Sequence, residues 1–189
     1  IWTFFEMVRV MTKQQGWKLN NRKYLIKELN EYLRRTGSLY GFKVNLEHKL
    51  ATEETVLMEI IYNKTIYLED KNLRPDYTFR VKCKGEEKIF YLDAKYHNYK
   101  ENMSQYFHDV QETACNKYYN SLIRTQYKAS GSFIIHCMDG DEYVNFGPEK
   151  ENNHRVGIFS LTSENSNNFK TWISLIMEWV YNEHNVCWS

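Results

Sequence analysis

A mixed α/β fold, a β-sheet flanked by helices, is what this 189-residue sequence predicts, and three observations carry the prediction. Runs that alternate with period two cluster between Phe42 and Lys95. Segments with helical spacing open, follow and close that cluster. One run, 131–138, is apolar enough to be a central strand buried on both faces. The length is that of one domain with a real core, and no repeat, low-complexity segment or linker divides 1–189.

Composition narrows the function classes. The 25 basic and 24 acidic residues nearly cancel, which excludes the global positive field of a basic nucleic-acid binder. Any such contact must come from local patches or from another domain. The 16% aromatic content is high, and core or half-buried positions account for most of it. Cys83, Cys115, Cys137 and Cys187 are scattered without a Cys-x-x-Cys pair, so neither a zinc site nor a disulfide framework is indicated. No apolar run has the length of a membrane span and no signal-peptide pattern opens the chain, so the expected setting is cytoplasmic. The chain starts at Ile1 rather than Met, and the expectation is a fragment of a longer protein.

In chain order, Phe4, Met7, Val8 and Met11 at i, i+3, i+4, i+7 spacing predict a helix over 2–15, with Glu6 off the apolar stripe. A second helix is predicted over 22–35 from Leu25, Ile26, Leu29, Tyr32 and Leu33, capped by Asn20 or Asn21 and ended by Gly37. Phe42, Val44, Leu46 and His48 alternate as a strand. Runs 55–62 and 65–68 read as a hairpin about Asn63-Lys64. After Tyr99 a helix is predicted over 103–125, with Asn102 and Gln105 forming a capping box and Phe107, Val110, Ala114, Tyr118 and Leu122 facing the core. Gln105, His108, Asp109, Glu112 and Lys117 fall on its other faces. Asp139-Gly140-Asp141 reads as a turn, the loop with Lys150, His154 and Arg155 as a nucleic-acid-contacting lid or a mobile connection, and 156–161 as a strand. A last helix over 167–183 is apolar round much of its circumference, which predicts deep packing against the sheet.

The chemistry concentrates in Leu73–Tyr99. Two β-patterned runs, 76–82 and 88–95, flank the turn signal Lys84-Gly85. Counting outward from that turn places Asp76 opposite Asp93. Tyr77, Phe79 and Val81 then share a core face with Phe90, Leu92 and Ala94, while Asp76, Asp93 and Lys95 point the other way. Like charges directly opposed are destabilising, so the pair predicts a cation between them. Hard oxygen ligands suit Mg²⁺ or Mn²⁺, and a lysine one pleat along suits an attacking water. The arrangement is one for cleaving phosphodiesters.

Pro75-Asp76 followed by Asp93-Ala94-Lys95 resembles the PD-(D/E)XK nuclease signature, the metal centre of the restriction-endonuclease-like fold. The wider strings, Leu73-Arg74-Pro75-Asp76 and Leu92-Asp93-Ala94-Lys95-Tyr96, are similar to the branch that includes McrC and related defence nucleases. The resemblance implies a Mg²⁺- or Mn²⁺-dependent endonuclease hydrolysing DNA in restriction or antiphage defence. It assigns the metal to Asp76, Asp93, the Ala94 carbonyl and an acid on the first helix, Glu6, with Lys95 orienting the attacking water. Glu59 is the alternative upstream acid, and His108 is a candidate polar residue on the following helix. Implied partners are DNA, or RNA in an effector nuclease, with a further domain, a subunit or a second copy supplying recognition. The competing reading is a non-catalytic module binding nucleic acid or a partner, its aspartates and lysine forming ordinary surface ion pairs.

Overall fold

A computed structural model of the chain describes residues 1–20, 24–138, 143–146 and 155–185. The Asp139-Gly140-Asp141 turn, Asn21, and Lys150 and His154 of the expected lid lie outside these. The elements are α1 (Trp2–Gln14), β1 (Lys18–Leu19), α2 (Leu25–Thr36), β2 (Lys43–Lys49), β3 (Thr55–Tyr62), β4 (Ile66–Tyr67) and β5 (Asn72–Leu73). Then follow β6 (Tyr77–Cys83), β7 (Glu86–Lys95), α3 (Met103–His108), a π-helix (Asp109–Asn120), β8 (Ala129–His136), β9 (Val156–Ser160) and α4 (Asn167–Asn185).

Seven strands form one mixed sheet in the order β1-β2-β3-β6-β7-β8-β9. It is antiparallel from β1 to β7 and parallel from β7 to β9. This is the mixed α/β architecture the alternating and helical runs predict. The switch to parallel pairing follows from the helical crossover after β7, because a parallel neighbour cannot be reached by a tight turn.

One face of the sheet packs on α1 and α4. Phe4, Met7, Val8 and Met11 of α1 are all buried there, as their spacing requires. On α4, Phe169, Trp172, Ile173 and Ile176 are buried against Phe79, Phe90, Phe133 and Phe159 of the strands. Trp172 is the centre of this layer, with ring centroids 5.1 Å from Phe79, 5.6 Å from Phe133 and 5.0 Å from Phe159. The opposite face is also a core, lined by Ile89, Tyr91, Ile66, Leu73, Tyr118, Tyr119 and Leu122. Expecting one face for packing and the other for chemistry is therefore corrected: the acidic residues sit at the end of a face whose middle is apolar.

Several local expectations are corrected as well. Ile66–Tyr67 does not fold back on β3; it pairs with Asn72–Leu73 in a separate ribbon, and β3 is filled on its two sides by β2 and β6. On α2, Leu25, Leu29 and Tyr32 pack on the core while Ile26 and Leu33 are exposed. That helix ends as predicted, with Gly37 at φ 71° and its amide donating to the Leu33 carbonyl. Asn102 caps α3 by accepting from the Gln105 amide, but the Gln105 side chain reaches forward to Asp109 instead of closing a capping box.

The largest difference is the winding after His108. Residues 109–120 form a π-helix, whose i→i+5 hydrogen bonds widen each turn. The predicted inward residue Phe107 is 63% exposed, and the buried positions are Asp109, Thr113, Ala114, Tyr118 and Tyr119. Nine residues separate Asp109 from Tyr118, about two and a half turns of an α-helix, which would set them on opposite sides. At roughly four and a half residues per π turn they share a side. Both are buried.

Trp172→Ala should cost about 3–5 kcal/mol, the usual penalty for emptying a large aromatic site. Urea unfolding of the two proteins measures it, and a loss under about 1 kcal/mol would contradict the central place given to this ring.

Candidate metal centre

The site is built on the β6–β7 hairpin. Lys84 and Gly85 take φ of 50° and 85°, the left-handed values of a two-residue turn whose twist matches the strands. The resulting register runs from Cys83 opposite Glu86 to Tyr77 opposite Leu92, as counted from the sequence. Asp76 lies one residue before β6, so the next pair in register is Asp76 and Asp93. Its backbone carbonyl accepts from the Asn63 amide at 2.8 Å, and its Oδ2 accepts from the Ala94 amide at 2.8 Å.

Asp93 is 6% exposed, and among the described residues its carboxylate has two partners. Tyr118 donates its hydroxyl to Oδ1 at 2.7 Å, and Lys95 Nζ lies 2.7 Å from Oδ2. The Tyr118 hydroxyl is also 3.1 Å from the Arg74 carbonyl, tying the π-helix to the segment that leads into Asp76. Burial and then the charge of Asp93 push the Tyr118 phenol well above its ordinary range, so it stays a donor.

Burial is the main influence on Asp76 and lifts its carboxyl above the usual aspartate value. The Ala94 amide opposes this, the charge of Asp93 adds to it, and Lys95 and Lys117 pull the other way. Burial works against the Lys95 ammonium. The hydrogen bond and charge of Asp93, with the charges of Asp109 and Asp76, outweigh it and hold the amine above its ordinary value. Lys95 is therefore a fixed cation at neutral pH.

Further cations border the pair. Lys117 sits 4.7 Å above the Tyr118 ring, and the Arg74 guanidinium 4.9 Å above the Tyr40 ring. Beyond Lys95, His97 Nδ1 lies 2.8 Å from Asp109 Oδ2, which also accepts from the Tyr99 hydroxyl at 3.0 Å. Gln105 Nε2 donates to Asp109 Oδ1 at 2.9 Å.

Of the residues the sequence singles out, the hairpin brings together Asp76, Asp93, Ala94 and Lys95. Glu6 is buried on α1, not on a solvent face, and its carboxylate is clasped by both ends of the Arg9 guanidinium. Glu59 lies in an ion-pair network with Lys43 and Arg80 on the sheet. Among the described residues no three His, Cys, Asp or Glu side chains cluster closely enough to hold a metal by themselves. Tyr118, Asp109 and His97 are additions that the sequence reading did not place at the site. Helical periodicity sent Tyr118 to the core and Asp109 to another face, and only a π winding unites them.

The donors present fit a small hard divalent ion. They are two carboxylates and a backbone carbonyl, all oxygen, and such ions keep several waters instead of demanding a full protein cage. The Lys95 ammonium against Asp93 marks a place where positive charge is stabilised.

Asp76, Asp93 and Lys95 thus lie together at the end of a central hairpin of a mixed sheet. A sequence-family model described as the PD-(D/E)XK nuclease superfamily matches residues 1–136, and the chain belongs to that superfamily. The match spans α1 through β8 and contains Asp76, Asp93 and Lys95. Nucleases of this superfamily typically use a divalent metal. No curated protein and no solved structure matches the chain. Among the described residues no helix is long and apolar enough to cross a membrane.

The raised Asp76 carboxyl sets a stability test. The folded state holds this proton more tightly than the unfolded chain, so the associated stability is present at pH below the unfolded aspartate value and is lost as pH rises through the folded one. At pH 7 the ionised Asp76 is a net cost, which Asp76→Asn removes. The variant should unfold at the same or a higher temperature than wild type at pH 7, with that difference shrinking on acidification. Mn²⁺ should raise the wild-type midpoint and leave that of Asp76→Asn unchanged. A variant clearly less stable at pH 7 would contradict the assignment of burial as the main influence.

Proposed function

We propose that this domain is a Mg²⁺- or Mn²⁺-dependent endonuclease that hydrolyses phosphodiester bonds in DNA. The observation that supports the reading is the convergence of Asp76, Asp93 and Lys95 at one end of the β6–β7 hairpin. Asp76 and Asp93, with the Ala94 carbonyl, would hold the ion. Bound there, it would supply Lewis-acid stabilisation of the phosphate and of the departing oxygen.

The chain's own residues supply the rest. Tyr118, donating to Oδ1, holds the Asp93 carboxylate in place. Lys95, kept cationic by Asp93, can orient the attacking water or hold a phosphate oxygen once a metal relieves it of pairing with the carboxylate. Lys117 and Arg74 flank the acids and offer positive charge to neighbouring phosphates. Local cations of this kind are what a chain of nearly zero net charge needs to hold a polyanion. Glu6, paired with Arg9, is not required by this set.

The wider setting we propose is restriction or antiphage defence in the McrC-like branch, with target recognition supplied by another domain, a subunit or a second copy. It is supported by the Leu73-Arg74-Pro75-Asp76 and Leu92-Asp93-Ala94-Lys95-Tyr96 strings and by a formal net charge of only +1. RNA is the alternative substrate for the same chemistry.

Incubating the protein with plasmid, single-stranded DNA and RNA, with Mn²⁺, Mg²⁺ or a chelator, tests the proposal. Metal-dependent cleavage of DNA is expected. Asp93→Ala should abolish it, and Lys95→Ala should lower kcat by about 10²- to 10³-fold, the usual loss for a donor stabilising transition-state charge. Cleavage of RNA alone would move the assignment to an effector ribonuclease. Undiminished metal-dependent cleavage by Asp93→Ala would reject the centre altogether.

A further inference from the structure

The Asp109 cluster has the form of a built orienting group. Asp109 is 1% exposed and receives Gln105 on Oδ1 and Tyr99 and His97 on Oδ2. Tyr99 is itself held by edge contacts with the His136 and Tyr106 rings at 5.4 and 5.6 Å. Such enclosure of a carboxylate by donors leaves its side chain one position. A carboxylate facing Nδ1 fixes the imidazole tautomer with the proton on Nδ1, which puts the lone pair on Nε2. Among the described residues His97 Nε2 has no hydrogen-bond partner, and the His97 side chain is 43% exposed. The ring follows Lys95 by two residues, and the Asp109 charge behind it reaches the Lys95 ammonium.

The reaction under the nuclease reading needs a proton acceptor, and the other groups at the centre are committed. Lys95 is an ammonium paired with Asp93, and Tyr118 is a donor to the same carboxylate; under the proposed function Asp76 and Asp93 would be occupied as ligands of the ion. Glu6 is taken by Arg9. We propose that His97 is a further catalytic residue, the general base that takes the proton from the attacking water, with Asp109 as its positioning residue. The inference rests on the nuclease reading.

One O–H bond of the water breaks and its proton moves to Nε2, giving an imidazolium beside the Asp109 carboxylate. The water oxygen forms the new bond to phosphorus. The scissile P–O bond breaks, the departing oxygen keeps the electron pair and takes a proton from solvent, and His97 returns its proton to solvent. The arrangement of nucleophile, base and orienting carboxylate is one that recurs wherever a weak nucleophile must be activated.

Steady-state cleavage of DNA by the full chain in Mn²⁺ tests this, with His97→Ala and Asp109→Asn compared with wild type. His97→Ala should lose about 10²- to 10⁴-fold in kcat, the range a general base contributes. Its Mn²⁺ affinity by calorimetry should stay at the wild-type value, and added imidazole should restore cleavage in proportion to its concentration. Asp109→Asn should lower kcat by about 10- to 100-fold with KM unchanged, as loss of an orienting partner does. A wild-type kcat in His97→Ala, or a loss that imidazole leaves untouched while Mn²⁺ still binds, overturns the assignment of His97 alone. Absence of metal-dependent cleavage in the wild-type protein overturns the nuclease reading and this inference with it.

Discussion

Two carboxylates of like charge are held in adjacent positions at the end of a hairpin, and the surrounding domain is arranged to make that tolerable. Left alone, such a pair repels, and burial adds a desolvation cost. Asp76 is relieved by the Ala94 amide and Asp93 by Tyr118 and Lys95. The cost that remains is visible in the raised Asp76 carboxyl. Ionisable groups perturbed by burial and by one another cluster at functional sites.

Holding the pair requires rigidity on both faces of the sheet. On one side Trp172 and the rings around it lock β6, β7 and β8 together, which fixes the register that sets Asp76 against Asp93. On the other side the π-helix brings polar side chains to a surface that an α-helix of the same sequence would fill differently. Its widened turn carries Asp109 and Tyr118 on one side, so a single element orients both Asp93 and His97. π windings are uncommon and tend to occur where function requires a side chain out of α-helical phase. This one separates two polar contacts by two turns and serves both.

How much of this is legible in the sequence depends on how local the signal is. The Lys84-Gly85 turn and the period-two alternation on either side of it are local, and together they specify the hairpin register to the residue. The burial of α4 follows from the breadth of its apolar surface, and Gly37 marks the end of α2 by its own φ. Partner choice is not local. Ile66–Tyr67 has strand character, but whether it pairs with β3 or with Asn72–Leu73 depends on β6 competing for the same edge of β3. The winding of 109–120 is less legible still, because the same residues satisfy an α-helical pattern with Phe107 and Val110 inward. Glu6 shows the limit of polarity as a guide: it is buried because Arg9, three residues on, covers its charge. The acids and lysine at the hairpin were readable in advance; the histidine and the carboxylate behind it required the backbone.

Diffraction from crystals grown with Mn²⁺, recorded at the manganese absorption edge, decides whether the two carboxylates share an ion. The expected result is an anomalous peak between the Asp76 and Asp93 carboxylates, within ligand distance of the Ala94 carbonyl, and Lys95 Nζ drawn away from Asp93. Crystals saturated with Mn²⁺ that show no peak there, with Lys95 still paired to Asp93, would contradict it.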